Sequence, residues 1–389
     1  MRKRTALFLL ALSLASFTTL CVLRGAPMAD LLVYRAEGAA VVHGTDLYGF
    51  TVTRWGLPAT YPPFAAILFV PAVGLPLPVL KAVFLAGNVL MLAGLVALSA
   101  RLASRSPGPA ALCAATAAAL WLEPVFQTLL FGQINLAVAC LTLWDLTRPP
   151  GARARGLALG VAAGIKLTPA VFVVHLFLRG RRREAATAAA AFACTVLAGF
   201  LLLPVASADF WTRRLYETGR VGKGWIVDNQ SLQGLIARML HDPAPGAAWA
   251  LPAALAAVAG LALAARARRE SHAVLLTAFT ALLICPISWT HHWVWCVPLL
   301  AVLWAEGHAR TAALVALVFT ARTMWLVPHE GDLDLELPYW QQPLAAAYPV
   351  LVLGLTVAYD SMISRRPTLS TEQTGNTACP SRPFGSARR

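Results

Sequence analysis

The sequence predicts an all-α fold, a polytopic transmembrane helical bundle of about 11–12 spans whose external loops form the active-site face. Three observations lead there. Separate apolar runs follow one another along the 389 residues, 58% of all residues are hydrophobic, and almost every acidic residue lies in the gaps between runs. In water such a chain would expose large apolar patches, so lipid is the solvent against which it is read.

The charge pattern agrees. A formal net charge of +14 in a soluble domain would point to nucleic acid. Here the cations cluster beside apolar runs, at Arg2-Lys3-Arg4, Arg181-Arg182-Arg183, Arg266 to Arg269 and Arg365-Arg366. That is the positive-inside pattern of cytoplasmic loops, and the expected partner is the lipid bilayer with no nucleic acid. Cysteines at 21, 113, 140, 194, 285 and 296 lie in or beside apolar runs with no metal-ligand spacing. There a thiol packs as a small hydrophobe.

Taken in order, the spans read as 5–23, 63–77, 79–100, 107–122, 131–147, 157–178, 185–205, 248–265, 272–289, 292–306, 309–327 and 343–363. The first is too long for the core of a secretory signal and reads as an uncleaved helix. Several others fall short of the roughly 20 residues of a perpendicular crossing. These are expected to be tilted, broken or packed inside the bundle. Residues 1–363 form one integral membrane domain, and 364–389, rich in Ser, Thr, Pro and Arg, read as a disordered cytoplasmic tail.

The basic loops of the second half place 206–247 and 328–342 outside, and the cationic start places 24–62 outside as well. The first half admits two arrangements. Twelve simple spans leave Arg101, Arg105, Arg153 and Arg155 external, against the charge rule. A hairpin at 157–178, broken at Lys166-Leu167-Thr168-Pro169, returns them to the cytoplasm but requires 62–100 to cross once.

Polar residues at span ends carry the chemistry. Asp30, Tyr34 and Glu37 fall at i, i+4 and i+7, one face of a helix leaving the first span. A carboxylate there can serve as general base if partial burial raises its pKa; an N-terminal helix acid is the plainer reading. Asp46 and Tyr61-Pro62-Pro63 read as turn architecture. Gln133 and Asn135 open a span and must face protein or a cavity, as interhelical hydrogen bonds or as substrate ligands. Lys166 lies at membrane depth, where an ammonium either snorkels or meets an anion such as a phosphate.

In the later loops, Trp225, Asp228-Asn229-Gln230-Ser231 and Arg238 offer amides, a hydroxyl, a cation and an indole suited to a sugar, or an ordinary capping turn. His291 and His292 lie between Trp289 and Trp293 at the outer junction of two spans. Adjacent residues point to different faces of a helix, so one imidazole is expected to be functional and the other structural. No third ligand at helical spacing accompanies them, so no metal is expected. Asp332-Leu333-Asp334 is a DxD without the α/β domain that would use it, and reads as an acidic external loop.

Taken together these segments resemble the multispanning glycosyltransferases of family 87, of the GT-C superfamily. The residues that carry the resemblance are Asp30-Leu31 with Val33-Tyr34, Gly44 to Tyr48, Tyr61-Pro62-Pro63, Gly132-Gln133 with Asn135, Lys166 with Pro169, Asn229-Gln230-Ser231, and Ser288-Trp289 with His291-His292, in family order. Thr290 departs from the pattern, since members often carry an acid there.

The resemblance implies a membrane enzyme that moves a sugar from a polyprenyl-phosphate donor to a cell-envelope glycolipid or glycan acceptor, with inversion and an Asp general base. Asp30 is the expected base; Lys166, His291 or His292, and Arg238 offset charge on the departing phosphate. Tyr34, Gln133, Asn135, Asn229 and Gln230 bind substrate oxygens. No cofactor and no obligatory metal are implied, and the active site faces the extracytoplasmic side of the plasma membrane. An Ala- and Arg-rich composition suits an actinobacterium, which makes mannose the first expectation for the sugar. The competing reading is a transporter or flippase of lipid-linked sugars; the lack of visible internal repeats speaks against it.

Overall fold

The computed structural model describes residues 3–364. It is helical apart from one two-stranded ribbon, in which Thr51–Val52 pairs antiparallel with Leu57–Pro58. Arg2, Arg365, Arg366 and the expected tail beyond Ser364 lie outside the described residues.

Helix α1 (Lys3–Leu23), mostly apolar beyond Lys3-Arg4, packs against α5 (Pro109–Ala119). Ser13 Oγ donates to the Ala117 carbonyl at 3.0 Å, and Trp121 Nε1 donates to Ser13 Oγ at 2.7 Å. Helix α2 (Ala29–His43) follows a left-handed Met28 (φ 43°). The expected span 63–77 is not a crossing helix. It becomes the short α3 (Pro63–Leu68) and one 3-10 turn, Val70–Ala72. The reason is local: Pro71 removes a helix donor, and Gly74, Pro76 and Pro78 follow within about two turns. Helix α4 (Leu77–Leu102) then crosses uninterrupted.

Helix α5 meets α6 (Glu123–Phe131) at a 78° bend, with Pro124 in the first turn of α6. Helix α7 (Asn135–Leu146) leads to α8 (Leu157–Ile165), which stops where Lys166 turns extended (φ −144°, ψ 129°). A 3-10 turn at Thr168–Ala170 and α9 (Val171–Leu178) complete the broken segment, and α10 (Arg182–Leu202) packs along α8.

Ion pairs decide the open question of topology. Glu184 takes both Arg155 (3.4 Å) and Arg181, and Glu270 takes Arg181 (2.6 Å) and Arg179 (3.3 Å). Arg155 precedes α8 and Arg179 follows α9, so both feet of the segment stand at one end of the bundle and 157–178 is a re-entrant hairpin. Arg105, which donates to the Ala305 carbonyl at 2.7 Å, and the Arg269–Glu306 pair at 2.7 Å join two more helix ends in this cationic belt.

The remaining helices are α11 (Pro204–Thr212), α12 (Leu232–Leu240), α13 (Ala247–Arg266), α14 (Glu270–Ile284), α15 (Cys296–Ala305), α16 (Ala309–Ala321), α17 (Gln342–Ala345) and α18 (Ala347–Ser364). By length and composition α1, α4, α10 and α13 can each cross a membrane, and two bent pairs, α5 with α6 and 339–345 with α18, raise the number to six. Of the shorter apolar helices, α7 and α14 are mostly buried, as expected of spans below full length, while α16 buries one face and exposes Leu314 and Leu317. Most of α14 is buried, and the centre closes around Trp293, Phe319 and Tyr348, with Phe319 and Tyr348 ring centroids 4.5 Å apart. The chain is a multi-pass membrane protein.

Candidate active site

A cavity of ≈ 940 Å³ opens at the end of the bundle away from the cationic belt, and Asp30, Tyr34, Gln133, Lys166, His291 and His292 all line it. The residues meet because four helix breaks converge there.

Asp30 sits in the first turn of α2, where the free backbone N–H groups favour a carboxylate. Tyr34, one turn on, is buried and stacks on Phe69 with centroids 4.4 Å apart. Its hydroxyl donates to Gln133 Oε1 at 2.6 Å. The Tyr61 hydroxyl (3.1 Å) and the Ile134 N–H (3.0 Å) donate to the same oxygen, which leaves the Gln133 amide nitrogen for Asp30. This turn depends on Gly132, whose φ is +68° and whose absent Cβ would lie 2.9 Å from the Cβ of Leu31.

The cation enters from the opposite direction. Lys166, at the hairpin tip, donates to Asn135 Oδ1 at 2.8 Å and lies 5.4 Å from the centre of the Tyr61 ring. Asn135 in turn donates to the His291 carbonyl at 2.9 Å, which also takes the Thr128 hydroxyl at 3.1 Å. His291 and His292 belong to a 3-10 segment, Thr290–Trp295, with ring centroids 4.8 Å apart. The expected division of labour is not seen in the lining, where both His291 and His292 appear. Neither His291 ring nitrogen has a partner among the described residues.

Burial raises the Asp30 carboxyl from its ordinary value to about 7; the Lys166 charge and the Gln133 amide pull it down, and Asp228 pushes it up. Glu37, two turns from Asp30 on α2, is buried away from the cavity and pushed up to about 8 by that burial.

Four expected substrate ligands are absent from the cavity lining: Asn135, held between Lys166 and His291 as above, and three residues taken up by a neighbouring loop. Asn229 is fully buried; its amide donates to the carbonyls of Gly224 (2.7 Å) and Pro286 (3.0 Å), and its Oδ1 accepts from Ser288 N (2.8 Å). Gln230 donates to Val227 (2.6 Å) and Ala345 (2.7 Å) carbonyls. Arg238 is buried against the carbonyls of Trp225 (3.1 Å) and Ile226 (2.9 Å), so it has no path to a departing phosphate. All three satisfy backbone groups of a loop that lacks regular structure of its own. Asp332 and Asp334 tie the same loop: Lys223 Nζ lies 2.5 Å from Asp332, and Val227 N donates to Asp334 at 2.8 Å.

The cavity also holds residues that sequence reasoning passed over. Asp228 heads the polar run but carries no signal separating it from the capping amides after it. Trp289 reads as a belt aromatic and Tyr61 as turn architecture, yet both line the cavity.

The chain is similar to known glycosyltransferases. The profile of glycosyltransferase family 87 matches residues 59–290. A polyprenol-phosphate-mannose-dependent alpha-(1-2)-phosphatidylinositol mannoside mannosyltransferase of Mycobacterium tuberculosis is 33% identical, covering 84% of each chain. A related phosphatidylinositol pentamannoside mannosyltransferase of the same species is 37% identical, over 79% of this chain and 73% of that one. Among solved structures, ArnT of Cupriavidus metallidurans bound to undecaprenyl phosphate aligns with 92% of this chain and 77% of its own, at 17% identity and a TM-score of 0.44, too distant to bear an argument. With most of the chain matched by the profile and by these relatives, it belongs to glycosyltransferase family 87.

Proposed function

We propose that the protein transfers mannose from a polyprenyl-phosphate donor to a phosphatidylinositol mannoside or similar glycolipid, with inversion, on the extracytoplasmic side of the plasma membrane. The observation that carries the reading is the pairing, across one cavity, of a carboxyl near neutral pKa at Asp30 with the ammonium of Lys166 and two imidazoles. The substrate classes are those named for the relatives at 33% and 37% identity.

In this mechanism Asp30 takes the proton of the acceptor hydroxyl as that oxygen attacks the anomeric carbon from the face opposite the phosphate. The anomeric C–O bond breaks, and the polyprenyl phosphate departs with the bonding pair. Lys166 meets that growing charge first, and the His291 and His292 N–H groups supply further donors. Gln133 and Asn135 keep base and cation at their stations rather than binding sugar. These cations take the place a divalent ion would otherwise fill, so the reaction is proposed to need no metal. The cationic belt at the far end of the bundle supports the outward orientation.

The test is transfer from radiolabelled polyprenyl-phosphate mannose to phosphatidylinositol mannoside by purified protein, beside Asp30→Asn. Loss of a general base lowers turnover about 10²- to 10⁴-fold. Equal incorporation by Asp30→Asn removes Asp30 as base, and vesicle uptake of the lipid sugar without transfer replaces the enzyme by a flippase. Activity that disappears with EDTA and returns with a divalent cation overturns the metal-free proposal.

A further inference from the structure

Two segments far apart in sequence are zipped together at the cavity wall. Asn229 and Trp289 form an isolated antiparallel bridge; Gln230 N donates to the Ser288 carbonyl at 2.9 Å, and Thr290 N to the Asp228 carbonyl at 2.9 Å. The register opposes Asp228 to Thr290 and Asn229 to Trp289, and Asp228 and Trp289 both line the cavity.

Each is held on one side and open on the other. Asp228 Oδ1 accepts the Thr290 hydroxyl at 2.7 Å and its N–H at 3.2 Å, while Oδ2 has no hydrogen-bond donor among the described residues. The indole of Trp289 is backed by Gly222, where φ is +145° and a Cβ would lie 2.9 Å from the ring. A side chain at 222 would displace the ring. The cavity wall therefore carries both a fixed carboxylate with a free oxygen and a fixed aromatic plane. A carboxylate accepts short, strong O–H···O⁻ bonds from hydroxyls, and an indole covers the C–H face of a pyranose.

Resting on the transferase reading above, we infer that Asp228 and Trp289, with Thr290 as the residue that orients Asp228, form a saccharide subsite that recognises ring hydroxyls of a hexopyranose. Asp30 and Lys166 sit at the reacting atoms, and Asp228 grips the ring away from them. The hexopyranose is either the transferred sugar or the terminal sugar of the acceptor.

The experiment compares wild type, Asp228→Asn, Asp228→Ala and Thr290→Val in the mannosyl transfer assay, with KM measured separately for donor and acceptor and with monodeoxy analogues of each sugar. Thermal unfolding in detergent checks folding, and Asp228→Asn keeps an acceptor for Thr290 where Asp228→Ala does not. Losing a hydrogen bond to a charged group corresponds to about 10- to 100-fold in KM. We expect Asp228→Asn to raise KM for one substrate with kcat reduced less, and Asp228→Ala to lose discrimination against one deoxy analogue that wild type disfavours. A shift confined to the donor assigns the subsite to the transferred sugar, and one confined to the acceptor assigns it there. Thr290→Val shifts the same KM by a smaller factor. Folded Asp228 variants with unchanged KM and unchanged discrimination overturn the inference while leaving the transferase intact. No transfer by wild type removes the transferase reading itself.

Discussion

Lys166 Nζ donates to Asn135 Oδ1 at 2.8 Å, and the same Asn135 amide donates to the His291 carbonyl at 2.9 Å. One small side chain thus fixes the distance between the hairpin tip and the histidine segment. It also directs the remaining ammonium protons toward the cavity that Asp30 lines.

Removing that cation has two effects. In Lys166→Met, kcat falls about 10²-fold or more, the scale for losing one charge-stabilising donor, and Lys166→Arg recovers part of it. Lys166 also holds the Asp30 carboxyl down, so its loss moves the activity limb to higher pH. Steady-state transfer across pH 5 to 9 reads both effects.

As the proposed base, Asp30 sets the expected pH dependence of wild-type activity. A base works only when deprotonated, so kcat/KM rises with pH and levels above about 7. Asp228 pushes the Asp30 value up, so Asp228→Asn moves the midpoint down. A flat profile from pH 5 to 8 contradicts the assignment of Asp30.

Stability carries the signature of Glu37. Its folded value of about 8 lies above the unfolded one, so its contribution is whole below the unfolded value and is lost as pH rises through about 8. Unfolding temperature in detergent therefore declines across that window, and Glu37→Gln flattens the decline. Asp30 is shifted in the same direction, so the comparison is made in an Asp30→Asn background.

Asn229→Ala and Arg238→Met are expected to act on folding. Each leaves buried carbonyls unpaired, at roughly 1–3 kcal/mol per group. Lower yield and melting temperature with donor KM held within a factor of about two is the expected pattern. A large KM change at full stability returns these residues to the substrate.

Why some of this was legible is a matter of which physics leaves a mark on sequence. The break at Lys166 was visible because Pro169 lacks an N–H, and Asp30 because a carboxylate just past an apolar run is conspicuous. The misread span at 63–77 follows from counting hydropathy without prolines: Pro71 lacks the donor a continuing helix needs, and Pro76 and Pro78 mark the start of the next helix, α4. Asn229, Gln230 and Arg238 misled because an amide or guanidinium that suits a sugar hydroxyl suits a bare backbone carbonyl equally well. That both histidines line the cavity was not legible, because the sequence reading assumed an α-helix where Thr290–Trp295 is a 3-10 segment kinked at Trp293.

The re-entrant hairpin can be tested by labelling. Single cysteines at 153 and 182, introduced into a variant lacking the native cysteines, should react with a membrane-impermeant thiol reagent from the same side of sealed vesicles, because Arg155 and Arg181 share Glu184. Opposite labelling restores twelve simple crossings.

That hairpin also makes the reacting ammonium a lever arm. Its fulcrum is the carboxylate–guanidinium clasp of Arg155, Glu184, Arg181 and Glu270, on the opposite membrane face from the sugar chemistry. Anything that loosens the clasp, such as a bound protein or a change in lipid charge, would tilt the arm and withdraw Lys166 without touching substrate. In the orientation proposed above, the clasp and the cavity then lie on opposite sides of the bilayer, joined by this one hairpin.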